Sequence, residues 1–135
     1  MSQNGIVQVG DRVQMLSMYA GSNVVAYGGW RRTSSGLRWF LTIRSGTGTV
    51  TAYSTSAPLL NTWYGLELHW RKGSTDGLGE LWVNGAKVCS LYARNTGAYG
   101  DATQVRVGLP EVYLCGATRA YLDCVSASKS YIGSE

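Results

Sequence analysis

Alternation of apolar and polar side chains, in short segments bounded by glycine-bearing turns, is the feature that most restricts the fold. Leu66, Leu68 and Trp70 alternate with Glu67 and His69, and a period of two recurs along the chain where a helix would need a period of 3.6. Successive side chains of a strand point to opposite faces of a sheet, so this pattern predicts strands with one buried face. The sequence therefore predicts an all-β protein.

The spacing of the turns predicts roughly ten short strands, as in a sandwich or barrel. They run over residues 5–9, 12–19, 24–32, 37–44, 48–55, 63–71, 79–84, 86–92, 103–108 and 119–127, followed by a tail strand at Tyr131-Ile132. No linker or composition shift divides the 135 residues, which suffice for one hydrophobic core. We therefore predict one domain over residues 1–135.

Asn84-Gly85 between two apolar runs is the strongest turn signal, because a two-residue type I′ hairpin needs positive φ at both positions. The register that follows pairs Val83 with Ala86, Trp82 with Lys87, Leu81 with Val88 and Glu80 with Cys89. The apolar side chains Leu81, Val83, Ala86 and Val88 are then predicted to face the core, and Glu80, Trp82, Lys87 and Cys89 to face away from it. In the segment 37–44 the odd positions form the apolar side, and Phe40 is the exception.

Charge is low and dispersed. Only 15% of the residues are charged, 12 are basic and 8 acidic, and Arg31-Arg32 and Arg71-Lys72 are the only adjacent basic pairs. A nucleic-acid interface would cluster its basic residues, so no nucleic-acid partner is predicted. No apolar stretch is long enough to span a membrane.

The sequence contains little evidence for a metal site or for thiol chemistry. Cys89, Cys115 and Cys124 fit no zinc spacing, and His69 is the only histidine. Three cysteines leave open one disulfide with a free thiol, or three buried thiols. The oxygen ligands available to calcium are Asp76, Asn95, Asp101 and Glu111, which form no dense acidic loop. No cofactor is predicted, and calcium is left open.

An ordered set of motifs occupies the C-terminal half: Thr62-Trp63-Tyr64, Leu66-Glu67-Leu68, Gly79 to Gly85, Val105 to Gly108, and Tyr121 to Val125. In this order the chain resembles laminin G-like and concanavalin A-like domains. The resemblance implies a two-sheet antiparallel jelly-roll sandwich and an extracellular or cell-surface module that binds glycans or mediates adhesion, with calcium in some members. Cys124 departs from the family, which often has a second acidic residue there. Few residues precede Arg12, so a missing first strand would leave a sheet edge open to self-association.

The enzymes of this fold place two glutamates and an aspartate on one strand, and no strand here does so. Glu67 with His69 lacks an accompanying nucleophile, and Cys89 beside Glu80 is a poor candidate for a thiolate. Asp123, inside an apolar run, is predicted to be a buried hydrogen-bonding residue. The protein is not predicted to be an enzyme.

The predicted ligand-binding surface consists of Trp82 with Glu80, Lys87, Glu67 and His69 around it, since sugars stack on aromatic rings and hydrogen-bond to polar groups. The same pattern fits equally a Trp82 that is covered by Lys87 or by a second layer of the protein. A rival platform consists of Tyr27, Trp30, Trp39 and Tyr53, with Arg31 and Arg32 to meet acidic sugars.

We therefore expect a non-catalytic carbohydrate-binding or adhesion module whose partner is a glycan or polysaccharide. The alternative is a structural subunit of a filament, fibre or capsid that assembles through its sheet edges and faces.

Overall fold

The structure, a computed structural model, describes residues 8–59, 61–113 and 121–128. These residues form eight strands and no helix. The strands are β1 (Arg12–Ala20), β2 (Asn23–Thr33), β3 (Gly36–Ser45), β4 (Gly48–Tyr53), β5 (Leu66–Arg71), β6 (Gly77–Val83), β7 (Ala86–Arg94) and β8 (Gln104–Tyr113). The predicted all-β class is confirmed.

The strands form two antiparallel sheets, a large one in the order β4-β3-β2-β1-β8 and a small one in the order β5-β6-β7. Neighbouring strands follow one another along the chain in both sheets, except that β8 returns to pair with the free side of β1. β1 is therefore an interior strand, and the large sheet ends at β4 and β8 within the described residues. The two-sheet antiparallel sandwich is confirmed at this level.

The core lies between the sheets and contains the side chains that the alternation predicts. Leu37, Trp39, Leu41 and Ile43, the odd positions of β3, are all 9% exposed or less. Phe40 is buried as well, on the opposite face of the large sheet, where it packs edge-to-face with Tyr27 at 5.9 Å between ring centroids. β3 is therefore buried on both faces.

Tryptophan fills the middle of the core. Trp30 and Trp39 pack edge-to-face with ring centroids 6.0 Å apart, and Trp39 does the same with Tyr64 at 5.0 Å. Such pairs add about 0.5–1.5 kcal/mol each beyond the burial of their area. Here tryptophan does the packing for which most cores use phenylalanine.

Two glycines allow the sheets to approach each other. A Cβ atom on Gly28 of the large sheet would lie 3.2 Å from Cδ1 of Leu81, and one on Gly79 of the small sheet would lie 2.5 Å from Cγ2 of Ile43. Both contacts cross the core. A side chain at either position would push the sheets apart.

The β6–β7 hairpin has the predicted turn, with φ values of 50° at Asn84 and 74° at Gly85. The predicted pairs of Val83 with Ala86 and Trp82 with Lys87 are confirmed, although Ala86 is exposed beside the turn. Beyond them the prediction is wrong, because a register shift makes Val88 the extra residue of a bulge and Leu81 pairs with Cys89.

The bulge reverses the alternation along the rest of β7. Cys89 and Leu91 therefore face the core, where they are 4% and 8% exposed, and Cys89 does not lie beside Glu80 as predicted. Ser90 pairs with Glu80 instead.

The ends of the chain differ from the sequence prediction. Residues 8–10 form a bend and turn rather than the end of a strand over 5–9, and β5 begins at Leu66 rather than at residue 63. Residues 121–128 are exposed and form no strand, so the strand predicted over 119–127 is absent from its described part. Exposed residues have no facing sheet on which an apolar face could pack. Residues 5–7, 119–120 and the tail at Tyr131-Ile132 lie outside the described residues.

Two further predictions concern the same region. Asp123 is exposed, so its predicted burial is wrong. Cys89 and Cys124 are free thiols of the described residues, the first buried and the second exposed, so neither three buried thiols nor a disulfide within the chain is present. Cys115 lies outside the described residues.

The described residues form no helix with the length and apolar character that crossing a membrane requires.

We expect Gly79→Ala to destabilise the fold by about 1–3 kcal/mol, because the new methyl group must displace Ile43 or separate the sheets. Urea denaturation monitored by tryptophan fluorescence measures the change. Gly48→Ala is the matched control, since a Cβ on this exposed strand glycine meets no atom within 4 Å. Equal stability of the two variants would show that the close approach at Gly79 is not tight.

Candidate functional site

The outer face of the small sheet brings together polar and aromatic side chains from all three of its strands. Register places Trp82 between Glu67 of β5 and Lys87 of β7, and places Glu80 next to His69. Together with Tyr92 these residues form the Glu80 network, which consists of Glu67, His69, Glu80, Trp82, Lys87 and Tyr92. The structure thus unites the five residues of the predicted Trp82 surface.

The Glu80 carboxylate is the centre of the network. Its Oε2 accepts a hydrogen bond from Nε1 of Trp82 at 3.1 Å and lies 3.3 Å from Nδ1 of His69. Its Oε1 accepts hydrogen bonds from Nζ of Lys87 at 3.1 Å and from the Tyr92 hydroxyl. Nε2 of His69 lies 3.5 Å from Oε2 of Glu67. Both oxygens of Glu80 are therefore engaged, and the side chain is 14% exposed.

These contacts decide the charge of Glu80. Burial by itself would raise the pKa of the carboxyl, but hydrogen bonds from Tyr92, Lys87 and Trp82 and the charge of Lys87 outweigh it and lower the pKa to about 2. Hydrogen bonds with Tyr92 and Glu80 raise the pKa of Lys87 in turn. The pair is fully ionised at neutral pH.

Two side chains lie close to the Trp82 ring. The His69 ring lies 5.6 Å from it, tilted by 36°, and Nζ of Lys87 lies 5.5 Å from its centroid. Lys87 also lies 5.2 Å from the Tyr92 ring. The cover by Lys87 that the sequence left open is thus present, but it is the tip of a side chain that is itself 38% exposed, and Trp82 is only half-buried.

Tyr92 is the member that the sequence analysis missed. Without the bulge at Val88, strict alternation from the turn would place Tyr92 on the core side. The sequence contained a signal for this change of face. After Val88, the more apolar residues are Cys89 and Leu91, and the polar ones are Ser90 and Tyr92. The apolar phase therefore shifts by one residue within β7.

The rival platform is not a single surface. Trp30 and Trp39 are 1% and 2% exposed in the core, so the prediction that Trp30 contacts a ligand is wrong, because neither ring has a free face. Tyr53 is 44% exposed and its hydroxyl accepts a hydrogen bond from Nη1 of Arg31 at 2.9 Å. Arg32 is half-buried and lines a cleft together with Arg31. This cleft belongs to the large sheet, whereas the Glu80 network belongs to the small sheet.

Three of the four residues that could have served calcium have carboxylates engaged in ion pairs. Asp76 contacts Arg71 at 3.4 Å, Asp101 contacts Lys72 at 2.5 Å, and Glu111 contacts Arg12 at 2.8 Å. The backbone oxygen of Asn95 accepts the N–H of Gly46. Within the part of the chain that the structure describes, no three His, Cys, Asp or Glu side chains are grouped to hold a metal ion.

Cys89 is not placed for nucleophilic chemistry. It faces the core, whereas His69 lies on the outer face of the same sheet, and its Sγ lies 3.8 Å from the backbone oxygen of Trp39. Burial raises its pKa to about 12, so the thiol stays protonated at neutral pH.

No protein-family model matches the sequence, and neither the curated proteins nor the solved structures include a significantly similar chain.

We expect Glu80→Gln to lower the stability at pH 7, because Lys87, Tyr92, Trp82 and His69 lose a charged acceptor. The folded-state pKa of Glu80 is depressed from 4.5 to about 2, so its contribution is complete above pH 4.5 and is lost as the pH falls through that interval. The stability difference between the wild type and Glu80→Gln should therefore shrink between about pH 4.5 and pH 2.

Thermal denaturation over this pH range measures the difference. Asp76→Asn is the control at pH 7, since it removes a carboxylate whose side chain is 72% exposed. A loss no larger than that of the control would contradict the central role of Glu80.

Proposed function

We propose that the chain is a non-catalytic carbohydrate-binding or adhesion module that binds a glycan on the outer face of the small sheet. The single observation that carries the proposal is the attachment of Trp82 to Glu80 through its Nε1 at 3.1 Å. It holds a half-exposed indole in one orientation among polar groups. Binding of a ligand then does not include the entropic cost of ordering the Trp82 side chain.

The chemistry around the ring suits a sugar. Pyranose rings present C–H faces that pack on aromatic rings, and their hydroxyls both donate and accept hydrogen bonds. Lys87 uses two of its three donor hydrogens on Glu80 and Tyr92 and offers the third on one side of Trp82, and Glu67 offers an acceptor on the other side. The small sheet thus supports stacking together with hydroxyl recognition.

Two observations support binding rather than catalysis at this surface. A glycosidase needs a carboxylic acid that is protonated near neutral pH, and Glu80, with a pKa of about 2, cannot supply that proton. The Cys89 thiol is buried on the other face of the sheet. Glu80 therefore cannot act as the general acid, and Cys89 cannot reach a ligand on this surface.

The resemblance to laminin G-like and concanavalin A-like domains belongs to the same proposal. The proposal therefore includes a jelly-roll connection of the strands and an extracellular or cell-surface location. The β6–β7 hairpin, which carries Trp82, and the strand at Val105 to Gly108 support it, whereas Tyr121 to Val125 forms no strand.

We expect Trp82→Ala to abolish glycan binding without unfolding the domain, because the ring supplies the stacking face while the core residues of β6 are untouched. Screening on a glycan array, with calcium and with a chelator, identifies the ligand and tests its dependence on the metal. Titration calorimetry then compares the wild type with the variant.

Trp63→Ala is the matched control, since Trp63 is 68% exposed and outside the Glu80 network. Unchanged affinity of Trp82→Ala, or loss of binding in Trp63→Ala instead, would overturn the assignment of this surface.

The edge strand β4 favours a second candidate, a structural subunit that assembles through its sheet edge. The other edge strands of the described sheets carry charged residues, with Pro110 in β8 in addition, whereas β4 reads Gly-Thr-Val-Thr-Ala-Tyr. Charges and proline are what protect an edge from pairing with another chain. β4 has neither.

If β4 mediates assembly, size-exclusion chromatography with light scattering should give a mass that grows with protein concentration. Thr49→Lys, at an exposed position of this edge, should then shift the protein toward the monomer. A mass of 14.6 kDa at every concentration would contradict assembly and leave the binding module as the sole candidate.

A further inference from the structure

A cleft of about 550 Å³ lies at the end of the large sheet, beside the β2–β3 hairpin. Its lining includes three arginines and several hydroxyls, among them Arg31, Arg32, Arg38, Ser34, Ser35 and Tyr53. This volume lies within the range of about 300–1,000 Å³ that is usual for small-molecule sites. The cleft belongs to the opposite sheet from the Glu80 network and is independent of it.

Arg31 and Arg38 face each other directly across strands β2 and β3. Like charges at directly opposite positions destabilise a sheet. Their hydrogen-bond partners are neutral: Arg31 donates to the Tyr53 hydroxyl at 2.9 Å, and Arg38 donates to the backbone oxygens of Leu37 and Ser35 at 3.3 and 3.1 Å. The two positive charges are therefore adjacent and uncompensated by these contacts.

No carboxylate of the described residues forms an ion pair with any of the three arginines. Asp11, whose backbone oxygen accepts the N–H of Arg32, is 2% exposed, and its carboxylate accepts the backbone N–H of Gln8. Four other basic side chains of the described residues do have acidic partners, in the pairs Arg12–Glu111, Arg71–Asp76, Lys72–Asp101 and Lys87–Glu80. Three arginines that form no ion pair with a described carboxylate thus line one cleft.

We propose that this cleft binds an acidic oligosaccharide, with a carboxylate or sulfate group held between Arg31 and Arg38. Guanidinium groups match the planar oxygens of such anions and can donate two hydrogen bonds at once. The hydroxyls of Ser34 and Ser35 suit the uncharged hydroxyls of the sugar, and the exposed Tyr53 ring offers a face for its apolar side. An extended polyanion such as nucleic acid would need a longer basic track than three clustered arginines.

The inference goes beyond the proposed function and does not depend on Trp82. Titration calorimetry with digalacturonate, with 6-sulfated lactose and with neutral lactose tests it and separates carboxylate from sulfate recognition. We expect one acidic sugar to bind at least about tenfold more tightly than lactose, and its affinity to fall as the salt concentration rises.

The variant Arg31→Gln/Arg38→Gln should lose at least about tenfold in affinity for the acidic sugar while its thermal midpoint is unchanged or higher, because a repulsive pair is removed. Arg31→Lys/Arg38→Lys should recover part of the affinity, since the charge is kept but the paired donors are not. Arg71→Gln/Lys72→Gln removes the same charge from exposed positions elsewhere and should bind as the wild type does.

Equal affinity for acidic and neutral sugars would overturn the proposal. So would an equal loss in the Arg71→Gln/Lys72→Gln control, or tighter binding of a short oligothymidine than of either acidic sugar. Trp82→Ala distinguishes the two proposals, because it should leave the binding of the acidic sugar at the cleft unchanged. If the acidic sugar binds at the cleft and no glycan binds at Trp82, this inference is supported and only the proposed function is rejected.

Discussion

The close approach of the two sheets is the constraint on which the rest of the molecule depends. Gly28 admits Leu81 and Gly79 admits Ile43, so the sheets meet where a side chain on either glycine would hold them apart. Trp30 and Trp39 fill the neighbouring space. Because β6 carries both Gly79 and Leu81 on its inner face, this contact also orients Glu80 and Trp82 toward the outside.

One inserted residue determines the composition of the outer face. The bulge at Val88 turns Cys89 and Leu91 inward and allows Tyr92 to reach Glu80. A regular strand would have placed a thiol beside that carboxylate and buried the tyrosine. The hydrogen bond from Tyr92, one of those that keep Glu80 ionised, therefore depends on a backbone irregularity, and so does the burial that keeps Cys89 protonated.

The two polar regions of the sandwich differ in how their charges are balanced. Glu80 has a donor for each oxygen, and its charge is matched by that of Lys87. Arg31 and Arg38 have only neutral acceptors, which leaves the far end of the large sheet positive. A half-exposed indole beside a charge-balanced Glu80–Lys87 pair suits stacking on a neutral sugar ring, whereas an uncompensated pair of guanidinium groups suits an anion.

The sequence by itself determined the strand character of the chain, the inward face of β3 and the turn at Asn84-Gly85, because these depend on local periodicity and on φ preferences. It also grouped Trp82 with Glu80, Lys87, Glu67 and His69, since pairing across hairpins follows from register. Only the tertiary structure decided that Trp30 is buried, that Asp123 is exposed and that Arg31 faces Arg38. The burial of Trp30 and the exposure of Asp123 depend on which surfaces meet across the sandwich, and the pairing of Arg31 with Arg38 depends on the register of β2 against β3. A period of two contains neither piece of information.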